Sequence, residues 1–279
     1  MVDPATLPHA ARTRFAPAPT GFLHLGHAAN AIWTWGAARA AGGSVLLRIE
    51  DHDRQRSGAE YDAAILEDLA WLGFHPDAGP VRQTAPDATA AYGAALERLR
   101  VAGVVYGCDC TRATFREWAA RHGGPWSGAG CPRDCRARSL AGPVLRAALG
   151  AGTEAWTDRL AGPCTGAVAP AGDPPIRDRH GNWTYLWCVV VDDLRHGIDL
   201  VVRGQDLLES SPAQIRLGRL LGRSAPPAFL HHPLVRRPDG SKLSKSAGDT
   251  GIRELRAAGR SARDVLAMAA DATGWTADR

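Results

Sequence analysis

Lys242 and Lys245 are the only lysines in a chain of 279 residues that carries 33 Lys and Arg. Both sit in SKLSKS, residues 241–246, just after the turn-forming stretch RRPDG. Lysine is a compact point charge on a flexible stem, whereas arginine is a planar fork. Where Arg serves every other cationic purpose, two loop lysines suit charge that migrates, as along a triphosphate that is being cleaved. A second chemical stretch is PAPTGFLHLGHA, residues 17–28, between an expected strand and an expected helix. His24 and His27, with Gly26 between them, put two imidazoles and a close backbone approach near a helix N-terminus. Imidazole donors and helix N–H groups can both face an anion there. A third set is Cys108, Cys110, Cys131 and Cys135, two close pairs joined by a loop containing GGPWSGAG. Four thiols so arranged suit a tetrahedral zinc site, although the first pair is tighter than the usual two-residue spacing. Cys164 and Cys188 have no cysteine close by, and Cys188, within an apolar run, is expected in the core.

The elements that must carry these residues alternate. TRFAPAP reads as a short strand stopped by Pro17 and Pro19. GHAANAIWTWGAARAAGG reads as a helix with Ile32, Trp33 and Ala37 on its apolar face, ended by Gly42 and Gly43. SVLLRIED reads as a buried strand. GAEYDAAILEDLAWLG is amphipathic, with Tyr61, Ile65, Leu69 and Leu72 at helical spacing. AYGAALERLRVAG reads as a further helix. This alternation predicts an α/β fold with a parallel sheet, whose carboxyl edge is where such sheets bind ligands. TYLWCVVVDD reads as a β-prone run ending in acids, IDLVVRG as a short strand, and DLLESSPAQIRLGRLLG as a helix opened by Asp206. The Arg-rich tail, IRELRAAGRSARDVLAMAADATGW, reads as helical. The expected organisation is residues 1–103 as the first half of a catalytic domain, 104–180 as an insertion bearing the cysteines, 181–223 as the second half, and 224–279 as the lysine loop and a helical C-terminal region.

Composition sets outer bounds. Apolar content is 45%, charged content 22%, and net charge +4, which is compatible with a polyanionic partner without requiring one. MVDPATLPHA has neither a cationic lead nor an apolar core, and no apolar run approaches the roughly 18 residues of a membrane span. A cytoplasmic protein with no membrane contact is expected, and a monomer.

HLGH and KLSKS, in this order, resemble the signature pair of the class I aminoacyl-tRNA synthetases. RFAPAPTGFLHLGHA, LRIEDHD, VVVDD and VVRGQDLL extend the likeness to the glutamyl members, so that matching segments run from Arg14 to Ser246. The resemblance implies a Rossmann-like sheet with an inserted zinc-bearing subdomain. It also implies attack of the glutamate α-carboxylate on the α-phosphate of ATP, with pyrophosphate leaving and no enzyme nucleophile involved. His24, Gly26 and His27 would then hold ATP with its Mg²⁺, and Lys245, assisted by Lys242, would stabilise the leaving group. For glutamate, Arg14 and Arg203 offer guanidinium forks to carboxylates, Tyr185 a hydroxyl, and Glu50 a partner for the ammonium. Phe15, Ala16, Pro17 and Ala18 complete that binding segment. Ala18 stands where the family usually has Ser, and a lost hydroxyl contact costs about 1 kcal/mol. The short stretch after Ser246 resembles compact glutamyl-type members that lack an anticodon-binding domain. Those pass glutamate to queuosine in the anticodon stem-loop of tRNA(Asp), and CRARS and RELRAAGRSAR offer arginines to its backbone. Three other readings stay open: charging of a tRNA 3′ end, a non-catalytic RNA-binding paralogue, and a nucleotidyltransferase acting without RNA.

Overall fold

The computed structural model describes residues 3–127, 130–138, 141–236 and 251–276. Lys242 and Lys245, with the rest of SKLSKS, lie outside the described residues. The chain opens with β1 (Arg12–Phe15), α1 (Leu25–Ala40), β2 (Ser44–Ile49), α2 (Ala59–Leu72), β3 (Ala78–Arg82) and α3 (Pro86–Val101). β1, β2 and β3 pair in parallel in that order. The register of β1 on β2 is set by a close backbone approach. Ser44 N donates to Ala11 O at 2.9 Å, and a Cβ on the preceding Gly43 would collide with that same carbonyl.

Residues 105–177 supply β4 (Val105–Cys108), α4 (Arg112–His122), β5 (Val144–Ala147), β6 (Thr153–Asp158), β7 (Gly162–Ala167) and β8 (Pro175–Arg177). β4, β5 and β8 form an antiparallel sheet, whereas the β6–β7 hairpin joins the edge of β10. The chain then returns through α5 (Tyr185–Arg195), β9 (Leu200–Gly204), α6 (Ser211–Leu220) and β10 (Ala228–His232), and ends in α7 (Ile252–Ala257) and α8 (Ala262–Thr273). β9 and β10 pair in parallel. β9 is brought beside β1, where Asp199 N donates to Arg12 O at 3.1 Å and Asp199 Oδ1 accepts from Arg12 N at 2.7 Å. The junction of β1 and β9 is a topological switch point, where α/β sheets open a ligand crevice at their carboxyl edge.

The α/β fold with a parallel sheet agrees with the alternating pattern, and one element is of the opposite type. Residues 185–195 form helix α5, not a strand. An apolar run of this length cannot be told from a buried helix by periodicity alone. Here α5 packs against α3 and α6, and Trp187, Cys188, Val189, Val190 and Val191 are all buried with Tyr92, Leu96, Leu99 and Leu217. Helix propensity costs of a few tenths of a kcal/mol per valine are outweighed by about 1.5–3 kcal/mol for each large apolar side chain buried. Residues 205–210 form a 3₁₀ turn ahead of α6, so that helix starts later than the pattern suggested. β3 reads as no strand in the sequence, because Gly79 and Pro80 interrupt it. No helix among the described residues is long and apolar enough to cross a membrane.

Replacing Gly43 by Ala is expected to lower stability by about 1–3 kcal/mol, since β1 must move off β2 to make room. The shift should appear as a lower denaturant midpoint with unchanged slope.

Candidate active site

Arg14 leaves β1 from the sheet interior and is 4% exposed. Its Nε donates to Asp193 Oδ1 at 3.0 Å, and its Nη1 to Val202 O at 3.3 Å. Its Nη2 group makes no hydrogen bond among the described residues. Asp193, near the end of α5, shares the same Oδ1 with Arg48 Nη1 at 2.7 Å. Arg48, on β2, is fully buried, and its Nη2 donates to Glu50 Oε1 at 3.1 Å. Burial works against the Arg48 charge, but Asp193, Glu50 and Asp192 outweigh it and hold its pKa above the usual value. Burial likewise works against the Asp193 carboxylate, and Arg14 and Arg48 prevail, holding it below the usual range.

Arg203, on β9, is 3% exposed. Its Nε donates to His231 Nε2 at 3.0 Å, its Nη1 to Gln214 Oε1 at 2.6 Å, and its Nη2 to Ser211 Oγ at 2.9 Å. His231 Nδ1 faces Asp158 Oδ2 at 2.6 Å. With Asp158 accepting at Nδ1, Nε2 is the acceptor that Arg203 requires. Burial lowers the His231 pKa, which favours that neutral ring. Tyr185, the first residue of α5, interacts with Arg203, Glu50 and Arg14, and burial raises its pKa. The fold thus gathers Arg14, Glu50, Tyr185 and Arg203 from four elements to one place. Phe15 is buried in the core beneath the segment, and Ala16, Pro17 and Ala18 continue it, with Pro17 O accepting from Glu50 N at 2.9 Å.

His24 is the N-cap of α1, and its Nδ1 accepts from Gly26 N at 3.1 Å. His27 Nδ1 accepts from His24 N at 3.1 Å, and the ring centroids are 4.0 Å apart. With both Nδ1 atoms accepting, the neutral rings carry their protons on Nε2. A Cβ on Gly26 would come within 2.9 Å of the His24 ring, so this spacing depends on glycine. Gly251, the first described residue after SKLSKS, forms an antiparallel bridge with His24, and Ile252 N donates to Leu23 O at 2.9 Å.

The thiols of Cys108, Cys110, Cys131 and Cys135 all lie within 4.8 Å of one another and are buried, a set that could hold a metal ion. The Sγ atoms of Cys110 and Cys135 are 3.8 Å apart. Cys188 is buried as expected, though on a helix.

Sequence reasoning passed over Arg48, Asp158, Gln214 and His231. Arg48 was the only one with a local signal, a lone cation inside an otherwise apolar strand. The acids of VVVDD stand out in the sequence as a motif, and their role as counter-ions emerges only from the helix.

Residues 10–278 match the family of class I tRNA synthetases (E and Q), catalytic domain. The chain is 41% identical over 278 residues to the glutamyl-Q tRNA(Asp) synthetase of Symbiobacterium thermophilum, covering 94% of this chain and 86% of that protein. It is 40% identical over 268 residues to glutamate–tRNA ligase 2 of Acidiphilium cryptum, covering 92% of this chain and 60% of that protein. Among solved structures, a glutamate tRNA ligase from Elizabethkingia meningosepticum, in complex with its amino acid, superposes with a TM-score of 0.73 at 28% identity. That match covers 86% of this chain and 53% of the other.

His196, capping the end of α5, is pushed down to about 4 by burial and by the charges of Arg48 and Arg195. Between about pH 6.5, the ordinary histidine value, and about pH 4 the unfolded chain therefore binds more protons at this position, so its contribution to stability falls as pH is lowered. Asp68, pushed up to about 6 by burial and by Glu67, titrates with the opposite sign in the same window. The difference between wild type and His196→Gln isolates the histidine. Urea midpoints from pH 7 to 4.5 should fall less steeply in the variant, by at most one proton's worth.

Proposed function

The chain belongs to the class I tRNA synthetases of the E and Q type, and from that premise we propose that it activates glutamate with ATP and transfers it to queuosine in the anticodon stem-loop of tRNA(Asp). The observation that carries the activation step is the gathering of two buried arginines, a carboxylate and a tyrosine at the switch point, with the His24–His27 pair at the start of the helix that follows β1. In this reading Arg14 Nη2 and Arg203 take the two carboxylates of glutamate, Tyr185 adds a hydroxyl, and Glu50 faces the ammonium. Arg48 and Asp193 hold Arg14 in place. The glutamate carboxylate oxygen attacks the α-phosphorus, a P–O bond forms, and pyrophosphate leaves with the electrons of the broken P–O bond. The Nε2–H groups of His24 and His27 donate to phosphate oxygens, and Lys245 and Lys242 offset the charge that builds on pyrophosphate. ATP arrives with Mg²⁺. The step is positioning plus charge stabilisation, and needs no covalent enzyme intermediate. The bridge between His24 and Gly251 supports this reading, because Gly251 follows SKLSKS by only five residues in the sequence.

The acceptor assignment is supported by the Symbiobacterium relative, whose name includes tRNA(Asp). The similarity to a glutamate–tRNA ligase favours the second reading, transfer to a tRNA 3′ end.

We further propose that the cysteine set binds zinc. Zn–S bonds of about 2.3 Å place the sulfurs of a tetrahedral site about 3.8 Å apart, and Cys110 and Cys135 already stand at 3.8 Å. The ion would tie the end of β4 to the 131–135 turn, with no part in the reaction. Purified protein is expected to contain about one zinc per chain, and a strong chelator should lower its thermal midpoint.

Exchange of pyrophosphate into ATP is expected with glutamate and without tRNA. Arg203→Lys keeps the charge and loses the fork, and should raise KM for glutamate about tenfold to a hundredfold, the value of one or two charge-assisted hydrogen bonds. Labelled glutamate should map to queuosine after ribonuclease digestion. Label on the terminal adenosine would select the second reading.

A further inference from the structure

Beyond Glu50 the end of β2 continues into Asp51 and His52, and beside them lies a cleft of about 210 Å³. Its walls include His52, Arg54, Gln83, Arg177 and Trp183. Asp51 is fixed by Thr84, whose N and Oγ1 donate to its two carboxylate oxygens at 2.9 and 2.5 Å. Gln83 is 2% exposed and is oriented from below. Its Nε2 donates to Asp192 Oδ2 at 2.8 Å, an oxygen that also accepts from Tyr92 Oη at 2.8 Å. Gln83 therefore presents its amide oxygen outward, and that oxygen stands 2.7 Å from His52 Nδ1. An amide oxygen only accepts, so Nδ1 carries the proton and the neutral ring keeps a lone pair on Nε2, a tautomer assigned from the hydrogen-bond network. The buried chain of Tyr92, Asp192 and Gln83 thus sets a half-buried imidazole as a base. The His52 ring centroid lies 6.5 Å from that of Tyr185, so the cleft adjoins the proposed glutamate site. Arg54 is exposed at its rim. Arg177 is held over the Trp183 ring at 5.0 Å, with its Nε donating to Gly181 O at 2.8 Å. An apolar ring and two guanidinium groups beside a base fit a nucleoside with flanking phosphates.

We propose that this cleft receives the cis-diol of the acceptor nucleoside on RNA, and that His52 Nε2 takes the proton of the attacking hydroxyl. The inference rests on the proposed function. The hydroxyl oxygen attacks the carbonyl carbon of glutamyl-adenylate and a C–O ester bond forms. The C–O bond to the phosphate breaks, AMP leaves with its electron pair, and the hydroxyl proton passes to His52, which returns it to solvent. General-base removal of such a proton contributes about 10²–10⁴-fold to rate.

The test measures two rates in each variant: pyrophosphate exchange with glutamate, and single-turnover transfer from preformed adenylate to tRNA(Asp) carrying queuosine. His52→Ala is expected to lower the ratio of transfer to exchange by about 10²-fold or more, with partial recovery on adding free imidazole. His52→Asn can still donate to Gln83 and has no base, so it should remain as slow as His52→Ala. A wild-type ratio in His52→Ala, or recovery in His52→Asn, would overturn the role of His52 and leave the activation reading standing. Absence of exchange in the wild type would overturn both. The same tRNA without queuosine separates the two possible diols. Transfer to it with the same dependence on His52 keeps the base and moves the acceptor to the 3′ ribose.

Discussion

One carboxylate oxygen, Asp193 Oδ1, receives hydrogen bonds from both Arg14 and Arg48. Two guanidinium groups this close in a dry interior repel each other strongly unless an anion lies between them. Burial of such groups rarely adds net stability, because the desolvation of each ion roughly cancels the attraction. The arrangement is better understood as one that fixes geometry. It joins β1, β2 and α5 through a single atom, and it uses up the Nε edge of Arg14 so that the opposite edge has one direction to face. The sheet alone could place Arg14 near the switch point. The shared carboxylate decides how its fork is turned, and with it where a bound carboxylate would lie.

The same constraint explains why α5 must be a helix. In a strand, alternate residues point to opposite faces, and Asp192 and Asp193 would part company. On the last turns of α5 both remain buried, with Asp193 reaching Arg14 and Arg48 while Asp192 takes Tyr92 and Gln83. The valines before them read as β-prone because intrinsic preference is all that a linear run displays. Their environment, enclosed by α3 and α6, is a property of the assembled fold. His24, His27 and the four cysteines were legible for the opposite reason: their chemistry depends on partners only a few residues away or on a second pair of the same kind. Arg203 could be singled out by resemblance, but its partners could not. His231, Gln214 and Asp158 are single residues in ordinary contexts, and nothing in their neighbours announces that they meet. Gln83 follows a strand that Gly79 and Pro80 disguise, so its contacts with Asp192 and His52 had no trace in the sequence.

Four histidines at this edge show how the partner of one ring nitrogen sets the chemistry of the other. His24 and His27 receive backbone N–H groups at Nδ1, so in the neutral rings Nε2 is a donor suited to phosphate oxygens. His231 and His52 face oxygens at Nδ1, a carboxylate in one case and an amide in the other, so Nε2 becomes an acceptor. His231 spends that acceptor on Arg203. His52, beside a cleft, keeps its own for whatever enters. Protonation would reverse the logic at His24 and His27, because an imidazolium has no acceptor for the backbone N–H it now caps, and the start of α1 would lose two hydrogen bonds. The two kinds of site therefore use the ring differently: at His24 and His27 the imidazoles shape the turn ahead of α1, whereas at His52 the bond to Gln83 turns the other ring nitrogen into an acceptor beside the cleft.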